Sequence, residues 1–232
     1  MGWREYAETL PNLAPVVFDV TSGRVALIIV DMQYVDAHRD YGLAVKLRDT
    51  YPEACDRYFT EIETTVLPNC VQLLEAFRAA GELVVHITYG PELADGRDIP
   101  VIRRRPTPRP PGIYSRGTFE HQILPELAPL DGEPVLNKTS RSAFASTGLD
   151  QMLRNIGIDT VVVVGVTTSS CIENTARAAA DLGYQTVVVE DAVAEFDEES
   201  HNATLRQMAI RLGRVWTTQE TLGEIKRVGG GG

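Results

Sequence analysis

The chain has 232 residues, 44% of them hydrophobic and 23% charged, with a formal net charge of −10. That length suits one sizeable core rather than two, and the composition is that of a globular domain. The acidic balance argues against a nucleic-acid footprint and no apolar run is long enough for a membrane span, so neither partner is expected.

Residues 1–24 read as an irregular N-terminal arm, with Pro11 and Pro15 breaking any helix. The run 24–31 is continuously apolar and closes on Asp31, the pattern of a strand buried on both faces of a parallel sheet. Similar runs follow at 83–88, 134–138, 161–164, 186–189 and, marginally, 214–216. Helical patterns lie between them at about 54–80, 149–156, 171–182 and 198–212. Gly81, Gly157, Gly183 and Gly213 follow these patterns where a helix-ending glycine belongs. Strand and helix therefore alternate, which predicts an α/β fold. The expected architecture is a single domain over 25–228 with an open, six-stranded, mostly parallel sheet and helices on both faces, a Rossmann-like three-layer arrangement. The glycine tail 229–232 is set aside as a disordered end. The stretch 90–118 breaks the regularity and carries Arg103-Arg104-Arg105-Pro106-Thr107-Pro108-Arg109-Pro110-Pro111. A loop of that length reads as a lid, a subunit contact or a plain solvated surface.

Cys55, Cys70 and Cys171 are too widely spaced for a disulfide framework or a metal knuckle, and the four histidines are scattered. With no signal peptide, the expected compartment is the reducing cytoplasm. Ligands of open parallel sheets bind beyond the carboxyl ends of the strands. Three reactive side chains fall at such ends: Asp31, Lys138 and Cys171. Ser170 and Glu173 have capping-box spacing, which starts a helix at the cysteine and predicts a lowered thiol pKa there. Taken singly, Cys171 is either an inert core thiol or a nucleophile, Asp31 a turn residue or a base, and Lys138 a surface charge or a catalytic one. Their shared sheet edge and coherent chemistry favour the second reading of each. Asp31 takes the thiol proton, Lys138 stabilises both charges, and backbone N–H groups of 167–171 receive the oxyanion.

The segments Ala26-Leu27-Ile28-Ile29-Val30-Asp31-Met32-Gln33, Asn137-Lys138-Thr139-Ser140-Arg141-Ser142-Ala143-Phe144 and Gly165-Val166-Thr167-Thr168-Ser169-Ser170-Cys171 resemble the isochorismatase-like cysteine hydrolases. Further matches are Ile123-Leu124-Pro125-Glu126-Leu127, Thr175-Ala176-Arg177-Ala178-Ala179 and Asp191-Ala192, so the resemblance spans about 24–216. It implies a nucleophilic Cys171, a basic Asp31, an intervening Lys138, and a non-proline cis peptide at Val166–Thr167 that aims N–H groups at the oxyanion. It also implies a homodimer or homotetramer acting on a small molecule.

Within that family, Cys171 argues against the vinyl-ether branch, and Ile87-Thr88-Tyr89-Gly90-Pro91 lacks the Asp-x-His metal pair of the nicotinamidases. Asp36-Ala37-His38 has that spacing but follows the first strand and reads as loop, while His86 reads as a core histidine. The expectation is therefore a metal- and cofactor-free amidohydrolase releasing ammonia from a small carbamoyl or ureide amide through a thioester. Biuret or triuret leads, because the matched segments offer no obvious carboxylate clamp. N-carbamoyl amino acids, ureidoacrylate and maleamate are the alternatives, followed by a non-catalytic metabolite-binding homologue. Gln33, Tyr34, Thr167, Thr168 and Gln219 are candidates for binding the substrate.

Overall fold

The computed structural model of the chain describes residues 2–9, 16–103 and 114–229. The Pro11 and Pro15 positions, the run 104–113 of the arginine-proline stretch, and the glycines 230–232 lie outside them. Six strands form one sheet: β1 (Val25–Val30), β2 (Leu83–Tyr89), β3 (Val135–Lys138), β4 (Thr160–Val166), β5 (Gln185–Ala194) and β6 (Arg214–Trp216). Their order is β3-β2-β1-β4-β5-β6, and every neighbouring pair is parallel.

The continuous apolar runs are explained by burial on two faces, since successive strand side chains alternate. Leu27, Ile29, Val162, Val164, Val187 and Val189 join one core cluster. It includes Tyr58 and Phe59 of the helix Pro52–Glu61, Leu73, Leu74 and Phe77 of the helix Leu67–Ala80, and Ile225 of the C-terminal helix Thr218–Gly229. Ala26, Ile28, Val30, Val161, Val163 and Val188 face the other way. They meet Leu149 and Leu153 of the helix Leu149–Asn155, Ala176 and Ala179 of the helix Glu173–Asp181, and Leu205 of the helix Glu198–Gln207. Each fully buried large side chain contributes about 1.5–3 kcal/mol of hydrophobic stabilisation.

Three features depart from expectation. The arm read as irregular contains a short helix, Trp3–Glu8, which ends before Pro11. Residues 34–47 hold two more short helices, Tyr34–Ala37 and Gly42–Leu47, so Asp36 is helical rather than loop. The C-terminal helix runs from Thr218 to Gly229, taking in the first glycine of the expected tail. Its start is fixed by Asp191, whose Oδ1 accepts both the N–H (2.7 Å) and the hydroxyl (2.8 Å) of Thr218, a contact invisible in local sequence.

His86 is buried, with Nε2 at 3.0 Å from Glu133, as expected of a core histidine. Glu133 also accepts from both ends of the Arg78 guanidinium, at 2.7 and 2.8 Å. Those Arg78 hydrogen bonds hold its carboxyl down at about 2, against an ordinary value of 4.5. A depressed carboxyl stabilises the fold above its unfolded pKa, and that stability is lost as pH falls through 4.5 towards 2. Glu133→Gln is therefore expected to cost roughly 2 kcal/mol near neutrality. In urea titrations at pH 7, 5 and 3 the gap to wild type should narrow with acidity; a constant gap would overturn the assignment.

Candidate active site

Asp31 is the first residue past β1 and takes a φ of 55°, a left-handed conformation that aspartate tolerates better than most residues. Its N–H donates to Ile87 O at 2.9 Å, tying the turn to β2. Lys138 ends β3 in register with Tyr89 of β2. Its ammonium reaches back to Asp31 Oδ2 at 2.7 Å and to Cys171 Sγ at 3.2 Å. The same Nζ lies 4.6 Å from the centre of the Tyr89 ring, within cation–π range. Strands β1 and β4 are adjacent while the chain winds away from them on either side, which puts this cluster at the crevice where such sheets bind ligands.

β4 leads to Cys171 through a cis peptide at Val166–Thr167 and a π-helical turn, Thr168–Ile172. Gly165 has a φ of +113°, and a Cβ there would stand 2.0 Å from Val30 O, so no other residue fits this crossing of β1. Sequence reasoning started the helix with a Ser170–Glu173 capping box, and the structure corrects this. Thr167 is the residue that precedes the helical turn, and Ser170 and Ile172 both donate N–H to its carbonyl, at 3.1 and 3.2 Å. Ser170 Oγ instead accepts from Arg141 Nε at 3.1 Å, and Glu173 is bonded to Arg177 and Thr204. The Ser169 N–H is likewise committed, to Glu195 at 2.8 Å.

The charge state also differs from expectation. Burial pushes the Cys171 thiol up to about 12; the Asp31 charge adds to this and Lys138 opposes it. Desolvation of a side chain only 6% exposed thus outweighs the helix start that predicted a thiolate. Burial by itself would lower Lys138, yet the charge of Asp31 and the hydrogen bonds to Asp31 and Cys171 hold the ammonium above the ordinary lysine range. The resting cluster is a neutral thiol beside a carboxylate–ammonium pair.

Asp31 and Cys171 open onto a narrow cavity of about 70 Å³, also lined by Asp36, Leu43, Tyr89, Val166, Thr167 and Ser170. Asp31 Oδ1 is buried without a hydrogen-bond partner among the described residues. Of the residues expected to bind substrate, only Thr167 lines this cavity. Gln33 is buried and used internally: its Oε1 accepts the Tyr89 N–H at 2.7 Å and its Nε2 donates to His121 O at 2.6 Å. The Thr168 hydroxyl faces His201 Nδ1 at 3.0 Å. Tyr34 packs among His38, Tyr41 and Phe119, and Gln219 is exposed on the C-terminal helix. Sequence reasoning did not single out Tyr89, and it set Asp36 aside as part of a loop. Tyr89 directly follows the predicted second strand, so the strand-end rule that singled out Asp31 points to it as well. Among the described residues no group of three or more His, Cys, Asp or Glu side chains is arranged to hold a metal.

The family model described as the isochorismatase domain matches residues 25–220, enclosing Asp31, Lys138 and Cys171. The chain belongs to the isochorismatase family. Its fold matches the crystal structure of a cysteine hydrolase from Pseudomonas syringae, with a TM-score of 0.79 and 26% identity over 94% of this chain and 99% of that one. Relatives in sequence include a maleamate amidohydrolase of Pseudomonas putida, 34% identical over 165 residues, 68% of this chain and 73% of the relative. A ureidoacrylate amidohydrolase of Agrobacterium fabrum is 28% identical over 233 residues, 94% of this chain and 97% of the relative. This family member is a cysteine hydrolase.

Proposed function

We propose that the protein is a metal-independent cysteine amidohydrolase of small amides that carry a carboxylate, of the maleamate or ureidoacrylate kind, and that it releases ammonia. The observation that carries the chemistry is Lys138 Nζ bridging Asp31 Oδ2 at 2.7 Å and Cys171 Sγ at 3.2 Å, two residues that line the cavity. Because the thiol is held neutral, its proton moves to Oδ1 of Asp31 as Sγ attacks the amide carbon. Lys138 remains an ammonium throughout and offsets the charge that passes between its two neighbours. The oxyanion is received among the N–H groups of Thr167, Thr168 and Cys171, since those of Ser169 and Ser170 are engaged elsewhere. The C–N bond then breaks, and the nitrogen departs as ammonia with the proton returned by Asp31. Water next attacks the thioester, giving its proton to Asp31 as the C–S bond breaks and the thiol is restored.

Biuret and triuret led the sequence reading for want of a carboxylate clamp, and the two amidohydrolase relatives turn that preference towards acid amides. The test is ammonia release from maleamate, ureidoacrylate, N-carbamoylsarcosine, biuret and triuret, with and without EDTA. Release should be insensitive to EDTA, and kcat/KM for the best acid amide should exceed that for biuret or triuret by at least about tenfold. Silence on every amide, or activity abolished by EDTA, would overturn the proposal.

A further inference from the structure

We infer that Arg141 is the group that recognises the substrate's carboxylate, at a subsite on the rim of the catalytic cavity. The inference rests on the amidohydrolase reading above and adds to it a residue and a specificity. Arg141 lies three residues past Lys138, and its Nε donates to the hydroxyl of Ser170 at 3.1 Å. Ser170 lines the catalytic cavity and directly precedes Cys171, so this bond stations a guanidinium beside the reacting sulfur's own turn.

Its surroundings leave that charge available. The chain carries 32 acidic side chains against 22 Lys and Arg, and several arginines are spent on ion pairs. Arg39, Arg78, Arg154, Arg177 and Arg227 each meet an Asp or Glu at 2.9 Å or closer. Arg141, an exposed side chain, forms no ion pair among the described residues. Beside it lies a recess of about 250 Å³ lined by Pro100, Ser140, Arg141, Ser142, Ala145 and Asn174. Asn174 also donates to Ser170 O at 2.8 Å, so Ser170, on the lining of the catalytic cavity, is bonded to two residues that line the recess. A planar guanidinium anchored by Nε keeps its Nη groups for a carboxylate, which it matches in a two-point contact. The cavity takes the scissile amide, and the recess takes the acid at the other end of a short substrate.

The experiment compares maleamate with maleamide, which differ only in a carboxylate replaced by a carboxamide. Arg141→Gln is expected to lower kcat/KM for maleamate roughly 100-fold, at least ten times more than for maleamide, with Arg141→Lys between the two. If Arg141 merely braced Ser170, both substrates would suffer alike, and equal losses would overturn the inference. The amidohydrolase reading itself stands or falls on the wider amide panel; should wild type hydrolyse neither compound, the subsite is judged by maleate protection of Cys171 from iodoacetamide. Protection in wild type that is lost in Arg141→Gln supports the subsite; equal protection, or none in wild type, overturns it.

Discussion

Replacing Cys171 with alanine should lower kcat by roughly 10³- to 10⁶-fold, the range seen when a covalent nucleophile is removed. Serine at this position should fare little better. The pocket that pushes a thiol up to about 12 would hold an alcohol still more firmly neutral, and Asp31 would have a harder proton to take. Neither change should unfold the protein. Cys171 lines the cavity as well as packing in the core on one face of the sheet, so truncating it removes one sulfur and its hydrogen bond from Lys138 and leaves the other core side chains in place. The covalent step has its own signature: acid-quenched wild type should carry the acyl mass on the peptide containing Cys171, and the alanine variant should not. Full turnover by either variant would remove the nucleophile from the mechanism.

Lys138→Met should damage both stability and activity. The lysine is fully buried and its partner Asp31 is nearly so, with a 2.7 Å contact between them. Methionine fills similar space but leaves the carboxylate buried and uncompensated, a change that costs about 3–5 kcal/mol. For a domain of this size that corresponds to a fall in Tm of roughly 10 °C. Adding Asp31→Asn removes the stranded charge, so the double variant should regain much of the stability while remaining inactive. A double variant no more stable than Lys138→Met would mean that the pair is not the source of the loss.

The same variants read the electrostatics of the thiol. Wild-type alkylation of Cys171 by iodoacetamide should climb steadily between pH 7 and 9.5 without a plateau, because the thiol titrates near 12. Asp31→Asn should speed alkylation at fixed pH and Lys138→Met should slow it, since the first neighbour raises the thiol and the second lowers it.

The strands were legible in the sequence because a parallel sheet covered on both faces needs side chains that are apolar in each direction, as in 161–164. Asp31, Lys138 and Cys171 were legible for a related reason: they interrupt or follow those runs at the carboxyl ends, where this topology exposes a crevice. Strand order was not, and it alone lets a lysine on the edge strand β3 reach across β2 to the acid after β1. Gln33 looked like a substrate ligand by position, yet long-range packing turned both ends of its carboxamide onto the backbones of Tyr89 and His121. The sign of the Cys171 shift also belonged to the tertiary structure. A helix start acts locally, whereas burial sums over every element that closes around the sulfur, and here the sum wins. Arg141 stood in the sequence as one more arginine until folding placed it against Ser170. Local chemistry and burial pattern are written along the chain; which distant side chains share a cavity, and at what charge, is decided by the order in which the strands pack.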